Sequence, residues 1–122
     1  MSRQVLIPGP DHPITIEPTG RRVVVRRGDV IVADTLDSLT LREASYAPVH
    51  YIPLADVDED AIRPSHGETY CPSKGDATYY ALIAGGEAIE DAIWTYERPY
   101  DAVAEIEGRV AFYARNVEIT VG

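Results

Sequence analysis

The sequence contains a single cysteine, Cys71, among 122 residues. One cysteine cannot form an internal disulfide, and it cannot supply the thiolates of a four-cysteine zinc site or an iron–sulfur cluster. The three histidines, His12, His50 and His66, lack the i, i+4 helical spacing of common metal sites. We therefore expect no metal and no other cofactor, and the scarcity of cysteine favours a reducing, cytoplasmic compartment.

Long apolar runs and an excess of basic residues are also missing. No 18 consecutive residues are apolar, and the N-terminal residues contain no long apolar segment of the kind that a secretory signal needs. The 11 Lys and Arg face 20 Asp and Glu, which gives a formal net charge of −9 that repels phosphate backbones. We expect neither a membrane nor a nucleic acid as a partner.

Short apolar runs separated by turn residues predict a chain that is mainly antiparallel β. Residues 22–34 contain two such runs on either side of Gly28-Asp29, a dipeptide that favours a tight hairpin turn with Arg27 opposite Val30. The length predicts one domain over residues 1–122. Further strands are predicted around residues 39–41, 49–51, 109–114 and 117–121, and one or two short helices at residues 55–62 and 101–108.

The clearest hairpin joins residues 77–84 to residues 87–96 through Gly85-Gly86. If the two residues that flank the glycines pair, Tyr80 points to one face of the hairpin. Tyr79, Trp94 and Tyr96 then share the opposite face, as an aromatic wall or as part of the core. The same register places Ala77 opposite Trp94.

The only lysine stands three residues after the only cysteine, in Cys71-Pro72-Ser73-Lys74-Gly75, and all ten other basic residues are arginine. A thiol and a primary amine on one turn could supply a nucleophile, a Schiff-base amine or a hook for an anion. They could equally be a buried apolar thiol and a solvated amine. Because the turn leads into Ala77, we predict that Lys74 directs its amine toward Trp94 and Tyr96. Cys71 would then lie beneath the cleft as support and react slowly.

Several motifs stand in a characteristic order along the chain: His12-Pro13-Ile14, Val32-Ala33-Asp34-Thr35, Leu41-Arg42-Glu43, Tyr51-Ile52-Pro53, Cys71-Pro72-Ser73-Lys74-Gly75, Trp94-x-Tyr96-x-x-Pro99 and Ile106-x-Gly108-x-x-Ala111-Phe112-Tyr113. Their order and spacing resemble the bacterial family named domain of unknown function 427, over nearly the whole chain. The resemblance implies a β-tent, in which two antiparallel sheets meet at a steep angle. The family also carries a nucleotidyltransferase-like label, but the sequence has no phosphate-binding loop and no paired metal-binding carboxylates.

Two departures from this resemblance affect the predicted site. Many β-tent proteins hold a zinc ion between two pairs of cysteines, which a chain with Cys71 alone cannot do. The family pattern usually continues Tyr-Ile-Pro with Arg-Glu-Asp, where this chain has Leu54 and Ala55 in the first two places, and it usually has an aromatic residue where Ser73 stands. Both changes remove groups that could line a pocket or give it a charge.

Three classes of function remain open. The leading hypothesis is a small-molecule-binding module that accepts a small anionic or aromatic ligand. The first alternative is an enzyme that uses Cys71 or Lys74 as nucleophile or acid/base, and whether the protein is an enzyme stays open. The second is a structural or protein-interaction domain, for which a homo-oligomer is one form. The cleft of the leading hypothesis is lined by Tyr51, Lys74, Tyr80, Trp94 and Tyr96.

Overall fold

The computed structural model describes residues 3–122, and regular structure within them consists of ten strands and three short 3₁₀ helices. No helix within these residues is long and apolar enough to cross a membrane. The 3₁₀ helices lie at Leu54–Asp56, Glu59–Ala61 and Asp101–Ile106. The strands are β1 (Ile14–Pro18), β2 (Val23–Arg27), β3 (Val30–Thr35), β4 (Leu39–Glu43), β5 (Val49–Pro53), β6 (Ile62–Cys71), β7 (Gly75–Ala84), β8 (Glu87–Thr95), β9 (Arg109–Phe112) and β10 (Glu118–Val121).

The strands form two antiparallel sheets. Seven strands follow one another in the order β1-β4-β5-β9-β8-β7-β6, and three strands form a smaller sheet in the order β10-β2-β3. The mainly β, two-sheet antiparallel architecture expected from the sequence is therefore confirmed.

Both predicted hairpins are present with the predicted pairing at their turns. Arg27 faces Val30 across the first turn, and Ala84 faces Glu87 across the second. Gly85 and Gly86 have φ angles of 61° and 80°, a left-handed pair that a two-residue hairpin turn requires and that side chains disfavour.

The seven-stranded sheet buries a core on each of its two faces, because successive side chains of a strand point to opposite sides. On the first face, Ile52 of β5 and Ile93 of β8 pack against Val25 and Val32 of the smaller sheet. On the second face lie Tyr51 and Tyr96, together with Val103 and Ile106 of the last 3₁₀ helix.

Contacts across the second face show that the seven-stranded sheet curls. Lys74 lies in the turn between β6 and β7, whereas Glu43 ends β4, and β5, β9 and β8 separate β4 from β7. In a flat sheet, four strand spacings of about 4.8 Å would hold β4 and β7 about 19 Å apart. The side chains of Lys74 and Glu43 nevertheless form a direct ion pair. The sheet must therefore bend around its second face.

A bulge makes one detail of the predicted register wrong. Leu82 pairs with Ile89 but Tyr80 pairs with Ile93, so β8 gains two residues relative to β7. Trp94 consequently lies opposite Tyr79 and not opposite Ala77. Because the side-chain period of a strand is two, an insertion of two residues leaves Tyr79, Tyr80 and Trp94, which lie beyond the bulge, on their predicted faces.

The carboxylate of Asp91 holds this bulge in place. Asp91 has a φ of 53°, and its Oδ1 accepts hydrogen bonds from Ser65 Oγ at 2.5 Å and from the Gly67 backbone N–H at 3.0 Å. A Cβ on Gly67 would lie 2.6 Å from the Asp91 carboxyl carbon, so any side chain there would displace the carboxylate from its hydrogen bonds. This arrangement depends on β6, a strand that the sequence patterns did not predict.

Two further elements differ from the sequence-based expectation. β1 was not predicted, and the short helix expected at residues 55–62 is instead two separate 3₁₀ turns. Asp58 separates them with extended backbone and accepts a hydrogen bond from the Asp60 N–H at 3.0 Å. An aspartate that bonds its own nearby backbone competes with a continuous helix, which explains the interruption.

Candidate functional site

A cavity of about 260 Å³ opens on the second face of the curled sheet. Six aromatic side chains form much of its wall, and one acidic and one basic side chain contribute the charges. The lining residues are Leu41, Glu43, Tyr46, Ala47, Val49, Tyr51, Lys74, Tyr79, Trp94, Tyr96 and Tyr113.

Trp94 is the centre of the aromatic wall. Its ring lies 4.6 Å from that of Tyr113, measured between centroids, at an interplanar angle of 46°. It meets Tyr51 edge-on at 6.5 Å, and its indole Nε1–H donates a hydrogen bond to Tyr51 Oη at 3.2 Å. Tyr79 pairs with Trp94 across β7 and β8, so neighbouring strands fix the positions of these rings.

The turn between β6 and β7 positions Lys74 at the cavity. The Lys74 N–H donates to the carbonyl of Cys71 at 3.2 Å, and the Lys74 carbonyl accepts from the Tyr100 N–H at 2.9 Å. Gly75 follows with a φ of 112°, and a Cβ there would approach the Arg98 carbonyl oxygen to 3.3 Å. This close backbone approach explains why glycine ends the turn.

Lys74 and Glu43 form a largely buried ion pair. Their side chains are 8% and 15% exposed, and Lys74 Nζ donates a hydrogen bond to Glu43 Oε1. The other carboxylate oxygen of Glu43 bonds His12 Nε2 at 2.7 Å. Burial raises the pKa of Glu43, but hydrogen bonds from Lys74 and His12 more than offset this and hold its pKa below the ordinary range. The carboxylate is therefore ionised at neutral pH and balances the lysine.

Cys71 lies behind Lys74 and does not line the cavity. Its Sγ is 3.8 Å from Lys74 Nζ and 3.4 Å from Ser73 Oγ. Burial raises the pKa of the thiol, but hydrogen bonds with Ser73 and the charge of Lys74 together bring its pKa below the ordinary value. Cys71 also packs against the second core, so a partly activated thiol stands in a sheltered position.

The phenols of the cavity differ in their partners. Tyr79 Oη bonds Thr69 Oγ1 at 2.9 Å and lies 3.5 Å from Tyr113 Oη. Burial raises the pKa of Tyr51 to about 12, so this phenol stays protonated. Burial and, next, the neighbouring Tyr51 phenol raise the pKa of Tyr96 as well. The phenols of Tyr51 and Tyr96 are therefore neutral hydrogen-bonding groups at neutral pH.

The structure brings four of the five sequence-predicted cleft residues, Tyr51, Lys74, Trp94 and Tyr96, around this one cavity. Tyr80 is the exception, because it lies on the other face of the hairpin and packs against the first core. Its alternation with Tyr79 along β7 already excluded it from a wall that contains Trp94.

Two important residues were missed by sequence reasoning. Glu43 ends the motif Leu41-Arg42-Glu43, and Tyr113 ends the motif with Ala111 and Phe112. The sequence contained a signal for both residues. Alternation along a strand places Glu43 on the same face as Leu41, and Tyr113 on the same face as Ala111. What the sequence could not give is the curl that brings β4 next to the turn of Lys74.

No group of three or more His, Cys, Asp or Glu side chains suited to a metal ion occurs within residues 3–122. Glu43 and His12 are in contact, but their arrangement contains one carboxylate and one imidazole, and Lys74 occupies the remaining carboxylate oxygen. The chemistry available here is that of hydrogen bonding, aromatic contact and a compensated charge pair.

Comparison with known proteins shows a family to which the chain is similar. A family model described as a domain of unknown function (DUF427) matches residues 15–122, a span that contains every residue of the cavity wall. A search of curated proteins gave no match to the chain.

The Lys74–Glu43 pair predicts a specific pattern of stability changes. Removing one partner leaves the other charge buried, so Lys74→Met and Glu43→Gln should each lower the free energy of unfolding by about 2 kcal/mol. The double variant should lose less than the sum of the two single losses, because neither charge is then left alone. Urea denaturation of the four proteins measures these values.

The exposed ion pair between Arg22 and Asp34 is the matched control. Its side chains are 61% and 41% exposed, so Arg22→Gln should lower the free energy of unfolding much less than Lys74→Met does. Equal losses at Lys74 and Arg22, or additive losses in the double variant, would contradict the buried pair.

Proposed function

The chain belongs to the family described as a domain of unknown function (DUF427), and we propose that it is a small-molecule-binding module whose ligand is a small, neutral aromatic compound. The observation that carries this proposal is the compensated Lys74–Glu43 pair set in a cavity walled by aromatic rings. Such a mixture of apolar wall and a few fixed polar groups is typical of ligand sites.

The ion pair determines the charge that the cavity accepts. An anion that approached Lys74 would also approach the carboxylate of Glu43, and a cation that approached Glu43 would meet the ammonium of Lys74. Either charged ligand would have to give up water without gaining an unopposed partner. A neutral ligand avoids both costs. The aromatic part of the sequence-based expectation therefore fits this cavity better than the anionic part.

The size and shape of the cavity limit the ligand to about one ring. A cavity of 150 Å³ is enough to hold benzene, and about 260 Å³ leaves room for a ring with a small polar substituent. Trp94 and Tyr113 offer ring faces and edges for offset or edge-to-face contact with such a ring.

A second candidate function, an enzyme, is supported by one observation. Ser73 and Lys74 lower the pKa of Cys71, which is how reactive thiols are prepared. Against it stands the position of the thiol behind Lys74, off the cavity wall. A substrate in the cavity would meet Lys74 before it met Cys71, and the ammonium of Lys74 is already paired with Glu43. The binding module is therefore the function that the geometry supports better.

A set of three ligands of matched shape tests the proposed function. Benzamide, benzoate and benzamidinium differ mainly in charge, and benzamide should bind with a Kd on the order of 1 mM, at least about tenfold tighter than either ion. NMR titration of the ¹⁵N-labelled protein measures the three affinities, and the indole N–H of Trp94, the only tryptophan, reports occupancy of the cavity.

Two tyrosine variants locate the binding. Tyr113→Ala removes a cavity wall and should weaken benzamide at least about fivefold, whereas Tyr80→Ala, on the other face of the sheet, should leave its affinity unchanged. Tighter binding of benzoate than of benzamide would show that Lys74 is free to hold an anion. If benzamide caused the same chemical-shift changes with the same affinity in Tyr113→Ala as in the wild type, the ligand would bind outside the cavity.

The reactivity of Cys71 separates the binding module from the enzyme. Because the thiol is half buried against the second core, we expect iodoacetamide to alkylate it more slowly in the folded protein than in the urea-unfolded protein at the same pH. Mass spectrometry follows the single alkylation. Faster alkylation of the folded protein would instead support a nucleophilic role for Cys71.

A further inference from the structure

The phenol of Tyr96 is a buried group of the cavity wall without a hydrogen-bond partner among residues 3–122. Tyr96 is 8% exposed, and its Oη forms no hydrogen bond with any of residues 3–122. Every fully enclosed side-chain nitrogen or oxygen in this range does have a partner. The Oη of Tyr96 must therefore border open space, and the open space that Tyr96 lines is the aromatic cavity.

Each of the other enclosed polar groups of the wall has at least one hydrogen-bond partner in the protein. Tyr51 accepts from the Trp94 indole, and Tyr79 bonds Thr69. Glu43 and Lys74 bond each other. Buried polar groups in proteins almost always have a partner, so an unengaged phenol in a formed cavity points to a group supplied by a ligand or, without one, by water.

We infer that Tyr96 donates a hydrogen bond to the ligand and thereby selects a neutral aromatic compound that carries a carbonyl oxygen. This inference rests on the proposed function and adds the chemical group that the ligand must present. A phenol can donate or accept, but burial raises the pKa of Tyr96, so the proton stays on the phenol and is available to a carbonyl. Trp94 and Tyr113 would contact the ring of the ligand, while the Tyr96 hydroxyl would donate a hydrogen bond to its carbonyl oxygen.

Substituting the acceptor tests the selection directly. Thiobenzamide has the shape and the N–H donors of benzamide but a much weaker acceptor, so it should bind the wild-type protein about fivefold more weakly. Tyr96→Phe should weaken benzamide by about the same factor and leave thiobenzamide nearly unchanged, because only the hydroxyl is removed. In the complex with ¹³C-carbonyl benzamide, the carbonyl infrared band should lie at lower frequency with the wild type than with Tyr96→Phe.

Tyr80→Phe is the control, since Tyr80 lies on the other face of the sheet against the first core and the variant should keep the wild-type preference for benzamide. Tyr96→Phe should also leave Tm unchanged, whereas a structural role for the hydroxyl would lower it. If benzamide binds in the cavity with the same affinity in the wild type and in Tyr96→Phe, the inferred role of Tyr96 is wrong but the proposed binding module is not affected. If no member of the series binds, the proposed function itself fails.

Discussion

The buried contact between Lys74 and Glu43 is the constraint on which the arrangement of the second face depends. It joins the turn between β6 and β7 to the end of β4, strands that three others separate within one sheet. A charge pair removed from water contributes little net stability, but a partner left alone is costly. The pair therefore acts less as a source of stability than as a condition that only the curled sheet meets. In that arrangement the rings of β5, β7 and β8 converge on one cavity.

The same contact sets the chemistry of the cavity. An isolated lysine among aromatic rings would attract anions, and an isolated glutamate would attract cations. Together they leave aromatic surface and hydrogen-bonding groups as the features that a ligand can recognise. For the proposed ligand, Tyr96, whose phenol has no partner within residues 3–122, is the group that would distinguish one neutral ring from another. The curl of the sheet and the charge balance of the cavity thus meet in one pairing.

Local patterns predicted the parts of this molecule that depend on neighbouring residues. The glycine turns, the two hairpins and the separation of Tyr80 from Tyr79 follow from turn chemistry and from alternation along a strand. The pairing of Lys74 with Glu43 could not be predicted, because it depends on how far a seven-stranded sheet curls. β6 was missed for a local reason, since Pro64, His66 and Gly67 interrupt any alternating pattern and its pairing with β7 shifts register between Pro64 and Glu68.

The chain offers a direct measurement of its central contact, because it contains one lysine and one tryptophan. With ¹⁵N-lysine labelling, the ammonium of Lys74 gives a single NMR signal. A buried, paired ammonium should exchange slowly with water, show nuclear Overhauser effects to aromatic protons of the cavity wall, and change its shift in Glu43→Gln. The opposite result would be an ammonium signal that is broadened by rapid exchange, shows no nuclear Overhauser effects to those rings and keeps the same chemical shift in Glu43→Gln. This result would contradict the buried pair and the cavity around it.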